Sequence, residues 1–164
     1  MITQGDTLRE EVRAFLSKNN ISTPDFLVCG LFDSTLFHRN SHEDITLTFS
    51  SIAYHHGGTL TFIGTNPSIA FKLIEQEGYE DSCSYIKAPS VDVMKGMEAG
   101  GESFDVIFLG HGCSKEDYYS AYGIMKFPSF LATASVDIAK VMQQDHIPMK
   151  SINTETGLIY IRDV

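Results

Sequence analysis

Apolar residues recur along this chain with two periods, and the changes from one to the other outline its elements. Over Asp6 to Asn19, Leu8, Val12, Phe15 and Leu16 fall on one helical face, and Thr7 with Glu10 three positions on forms a capping box. Ser22-Thr23-Pro24-Asp25 then turns the chain into Phe26 to Leu31, a short apolar run that reads as a buried strand. A second helix opens at Ser41 with Asp44 as its capping partner, carries Ile45, Phe49, Ile52 and Ala53 inward, and stops at Gly57-Gly58. Thr59 to Ile63 is the next strand. Asn66 caps the helix after it, with Pro67 at the first helical position and a stripe of Ile69, Ala70, Leu73 and Ile74.

Cys83 to Lys87 reads as a weaker strand, followed by a short helix bearing Val91, Met94 and Met97. Phe104 to Leu109 is the most informative stretch: Phe-Asp-Val-Ile-Phe-Leu, flanked by glycines, has the composition of a strand buried on both faces inside a parallel sheet. Ser114-x-x-Asp117 caps a helix with Tyr118, Ala121 and Tyr122 on one side. Phe130 to Ala134 is a fifth strand, and Ser135 to Asp145 a helix packing Ile138, Val141 and Met142. Five strands alternating with helices predict an α/β fold with a parallel sheet and right-handed crossovers. The tail departs from that rhythm: Pro148 to Asn153 and Leu158 to Ile161, joined by Thr154-Glu155-Thr156-Gly157, predict an antiparallel hairpin, for about seven strands in all.

At 164 residues the chain suits one domain spanning 1–164, with helix 1–22 outside a core of 26–164. No apolar run is long enough for a membrane span, and no secretory signal opens the chain, so a cytoplasmic location is expected. Three widely spaced cysteines, Cys29, Cys83 and Cys113, fit a reducing compartment. A net charge of −9 without a basic cluster argues against nucleic acid, and with no membrane expected it leaves a protein partner or a homo-oligomer.

The ligand crevice of an open α/β sheet lies beyond the carboxyl ends of its strands, which directs attention to Gly110-His111-Gly112-Cys113-Ser114. His111 is the best placed base there. Cys113 precedes a helix N-terminus, yet residues two apart in a turn seldom face each other as a nucleophile pair needs. His38 and His42 are four apart, but Asn40-Ser41 between them reads as a helix start, so no metal site is expected. His55-His56 suit a helix C-terminus. The P-loop, Gly-x-Ser-x-Gly and three-glycine dinucleotide motifs are absent.

Five strand-helix units closed by a hairpin resemble the class I S-adenosylmethionine-dependent methyltransferases, from about Phe26 onward. Phe104-Asp105-Val106-Ile107-Phe108-Leu109 is similar to the fourth strand of the small-molecule O-methyltransferase branch, Ser34-Thr35-Leu36 to the start of its first helix, and Ile63 to Pro67 to its Ile-Asp-x-Asn-Pro. The resemblance implies a Rossmann-like, mostly parallel sheet with helices on both faces. It also implies a cofactor cleft at Gly30, Asp33, Ser34, Thr65, Asn66 and Gly110.

The family's acidic positions, however, fall on Val28, Gly64, Ala88 and Gly110, and Thr133-Ala134-Ser135 brings no second metal ligand. Leu31-Phe32-Asp33 replaces a longer, glycine-rich turn. The expectation is therefore a methyltransferase-like fold with a degenerate cleft and no cofactor, a non-catalytic binding or structural module in a protein assembly. The alternative is a working S-adenosylmethionine-dependent enzyme acting on a small hydroxylated or amine substrate with His111 as base.

Overall fold

The computed structural model describes residues 2–31, 39–155 and 157–162, the side chains of 39–42 excepted. In chain order these form α1 (Gln4–Lys18), β1 (Asp25–Cys29), α2 (Arg39–His55), β2 (Thr59–Gly64), α3 (Pro67–Glu77), a short 3-10 turn (Glu80–Ser82) and β3 (Cys83–Lys87). After them come α4 (Ser90–Ala99), β4 (Phe104–Leu109), α5 (Lys115–Tyr122), β5 (Met125–Thr133), α6 (Val136–Gln144), β6 (Met149–Thr154) and β7 (Gly157–Arg162).

The strands make one sheet in the order β3-β2-β1-β4-β5-β7-β6. The first five run parallel, whereas β7 pairs antiparallel with both β5 and β6. All six residues of β4 are buried, as its uninterrupted apolar run predicts for a strand covered by helices on both faces. Alternate side chains of β1 feed two cores. Phe26 and Val28 join Leu8, Val12, Phe49 and Ile74 beneath α1, α2 and α3, and Leu27 and Cys29 join Met94, Tyr118, Ile138 and Met142 beneath α4, α5 and α6. Each fully buried Leu or Phe here contributes about 1.5–3 kcal/mol of transfer free energy. No helix among the described residues is long and apolar enough to cross a membrane.

Several sequence expectations are corrected at the element ends. Helix α1 begins earlier than its periodicity suggests: Thr3, not Thr7, is the cap, its Oγ1 accepting from Asp6 N at 2.9 Å. Thr7 is instead buried. The Ser41 side chain, expected to pair with Asp44, lies outside the described residues; Asp44 accepts from Gly5 N at 2.6 Å and so satisfies a donor in the first turn of α1 from 39 residues away. Asn66 stands at the N-cap of α3 without a side-chain cap bond, and Ile69 is 36% exposed, so the buried stripe of α3 is Pro67, Ala70 and Ile74. Strand β5 starts five residues before Phe130, because Pro128 is accommodated where the β4–β5 register shifts between Phe104 and Val106. The cap at Ser114 and Asp117 forms as expected, with Ser114 N donating to Asp117 Oδ2 at 2.9 Å. Tyr122, placed with Tyr118 and Ala121 on the packed side, is 40% exposed.

Opposite the strand carboxyl ends, Lys126 Nζ lies 2.7 Å from Asp25 Oδ2 and 3.2 Å from Asp105 Oδ2, tying together the amino ends of β1, β4 and β5. Asp25 N also donates to Asp105 Oδ2 at 2.8 Å. Burial draws the Lys126 pKa down, but the bonds to the two carboxylates outweigh it and the net direction is up.

Candidate functional site at the strand carboxyl ends

The strand order reverses between β1 and β4, so the crevice of an open sheet falls where these two strands end. Gly30, directly after β1, has φ +77°, a conformation that costs a residue with a Cβ but not glycine. Its N–H donates to Ile63 O at 3.2 Å, while Gly110 N donates to Cys29 O at 2.8 Å. The two turns press together: a Cβ on Gly110 would lie 2.7 Å from Gly30 O, and one on Gly30 would lie 2.5 Å from Cys113 Sγ. Both glycines are buried, and their lack of a Cβ makes room for this backbone contact and for Cys113 Sγ.

The turn after β4 is held from below. Thr133 Oγ1 donates to Leu109 O at 2.8 Å, and Ser135 Oγ donates to Cys113 O at 2.7 Å while accepting from Ile138 N. Cys113 is 5% exposed, with Sγ 3.6 Å from Cys29 O. A thiol packed this way is not an accessible nucleophile. His111 is exposed, and its Nδ1 is 3.3 Å from Ala134 O. A carbonyl can only accept, so Nδ1 is the donor in this contact.

Gly30, Gly110 and His111 thus converge, and Thr65 and Asn66 are exposed at the end of β2, where Ala88 N donates to Gly64 O at 3.1 Å. Asp33, Ser34 and His38 lie outside the described residues, as does the His42 side chain. Among the described residues between each parallel strand and its following helix, none carries a carboxylate. One acid that the sequence marks only as a helix cap does approach this edge. Asp117, 7% exposed, accepts from Ser90 Oγ and from Ser114 N, joining the starts of α4 and α5. Its capping motif was readable in the sequence; the bond to Ser90, 27 residues away, was not.

This is the fold of the class I S-adenosylmethionine-dependent methyltransferases, and solved structures of that kind align with nearly the whole chain. A candidate caffeoyl-CoA O-methyltransferase from Staphylococcus aureus matches with a TM-score of 0.65 at 13% identity, covering 96% of this chain and 83% of that one. Human methyltransferase-like protein 13 in complex with SAH (S-adenosylhomocysteine) matches at 0.63 and 12% identity, covering 95% and 81%. SAH-bound methyltransferase PaMTH1 from Podospora anserina gives 0.63 and 14%, covering 97% and 77%. No protein-family model matches the sequence, and no curated protein is similar enough to count as a relative.

These neighbours correct the expectation of no cofactor. Two of them carry SAH on this same fold. The physical reason is that the strand order still reverses between β1 and β4, with Thr65 and Asn66 exposed at the end of β2, and the missing carboxylates take away anchors without altering that arrangement.

Proposed function

We propose that this chain binds an S-adenosyl ligand across the carboxyl ends of β1, β2 and β4, and acts as a binding module in a protein assembly with little or no methyl transfer. The observation that carries this reading is the Gly30–Gly110 contact at the topological switch point. Thr65 and Asn66, at the end of β2, are placed to meet ribose hydroxyls with neutral groups. A hydrogen bond to a charged group contributes about 1.5–3 kcal/mol and a neutral one about 0.5–1.5. Replacing two carboxylate contacts by neutral ones therefore weakens a micromolar site by roughly one to two decades.

Calorimetry and amide NMR with SAH test this. The expected result is a dissociation constant of roughly 10–100 μM, weakened by N66A, with shifts at Gly30, Gly64 and Gly110. Absence of both heat and shifts at millimolar SAH overturns the reading. The assembly component is tested by light scattering at low concentration and by co-purification, where a lone monomer counts against it.

A second reading, methyl transfer to a small hydroxylated or amine substrate, is favoured by the exposure of His111 two residues past the end of β4. Bound S-adenosylmethionine would supply an electrophilic methyl group. Nε2 of His111 would take the proton released by the acceptor. Methylation of small phenols or amines that falls about a hundredfold in H111A supports this reading; SAH binding without any transfer supports the first.

A further inference from the structure

A pocket lies away from the glycine edge, between α1 and strands β5, β6 and β7. Its volume is about 190 Å³. Phe15 and Phe130 form its apolar wall, their ring centroids 5.8 Å apart and tilted by 53°, beside Ile161. Ser129 and Phe130 precede the carboxyl end of β5 by three or four residues, about 10–13 Å along the strand, so this pocket is separate from the Gly30–Gly110 crevice.

The charges around it are unbalanced. Lys18, Lys150 and Arg162 line the pocket against one carboxylate, Glu11, whose Oε2 is already 2.7 Å from Lys150 Nζ. Arg162 is turned to Ser129, donating at 2.6 Å to both its carbonyl oxygen and its Oγ, and to Met125 Sδ at 3.3 Å. No carboxylate among the described residues neutralises either Arg162 or Lys18. On a chain of net charge −9, the described lining residues carry an excess of two positive charges beside an aromatic wall.

We propose that this pocket binds a small aromatic carboxylate. The volume selects one ring: an apolar cavity of about 150 Å³ accommodates benzene, and the remainder here suffices for a single acidic group but not for a nucleotide. Phe15 and Phe130 present ring faces and edges to a tilted aromatic partner. Lys18, exposed at the last turn of α1, supplies the charge-assisted contact to the carboxylate. Arg162, held by Ser129, contributes its field rather than a direct bond. The site stands independently of the S-adenosyl reading.

Titration of the full chain with benzoate, followed by amide NMR, tests it. Shifts should cluster at Ala14, Phe15, Lys18 and Ile161 with a dissociation constant of about 1 mM. Benzamide, the same shape without the charge, should bind roughly tenfold more weakly. K18M should weaken benzoate roughly tenfold and leave benzamide unchanged, and E11Q, which removes the lining carboxylate, should tighten benzoate. The proposal is overturned by equal binding of benzamide and benzoate, by indifference of benzoate to K18M, or by no clustered shifts with benzoate at tens of millimolar.

Discussion

Substituting Gly110 by alanine puts the closest contact of the candidate site to a direct test. The new methyl would lie 2.7 Å from Gly30 O, 2.9 Å from Gly30 C and 3.0 Å from Cys29 O. All three are backbone atoms, so no side chain can rotate aside and β1 must part from β4. Gly110 does not have a positive φ, so the penalty is steric rather than conformational. Overpacking costs about 1–3 kcal/mol, and straining the Gly110 N to Cys29 O bond adds about 0.5–1.5. A loss near 2–3 kcal/mol is expected, roughly 5–10 °C in melting temperature for a chain of this size. The control is Gly96→Ala in α4, where nothing lies within 4 Å of the added methyl. Helix propensity alone should stabilise it by about 1 kcal/mol. Thermal and urea unfolding at neutral pH read both. If G110A melts with the wild-type chain, or G96A falls as far as G110A, the close packing of the two glycine turns is refuted.

Two further outcomes concern titratable groups. Lys126→Met strands the buried Asp105 carboxylate and should cost about 1–2 kcal/mol, discounted because Lys126 is about one-third exposed. The Lys126 pKa is raised on folding, so its contribution is complete below the unfolded value of 10.5 and disappears as pH rises through the folded one. Urea unfolding between pH 8 and 11 should therefore show an alkaline loss that K126M lacks. The Cys83 thiol is pushed up to about 12, chiefly by burial and secondarily by Glu80, so native protein at pH 8 should alkylate there far more slowly than the urea-unfolded chain. Rapid native labelling of Cys83 by mass spectrometry would contradict its packing.

Where local pattern and tertiary environment agree, the fold could be read from residues alone. The apolar run of β4 announced its place in a parallel sheet, and two short runs joined by a tight turn near the end announced a hairpin. What could not be read depends on contacts far apart in sequence. Gly5 is capped by Asp44, Ser90 bonds to Asp117, and Ser135 holds the turn at Cys113. At the cleft, absent carboxylates were easy to count and carried too much weight. Positive φ at Gly30 and the proximity of Gly110 are properties of two turns together, and neither turn states them by itself. The pocket beneath α1 was equally invisible, since Lys18, Phe130 and Arg162 come from three elements with no shared motif.

The placement of β7 between β5 and β6 has a kinetic corollary. Strand β6 precedes β7 in the chain yet touches the sheet only through it, so β6 has no rung to bond until β7 is laid down. The pair should zip as a local ladder and dock as a unit, so the amides of β6 and β7 should gain protection together in hydrogen exchange during refolding.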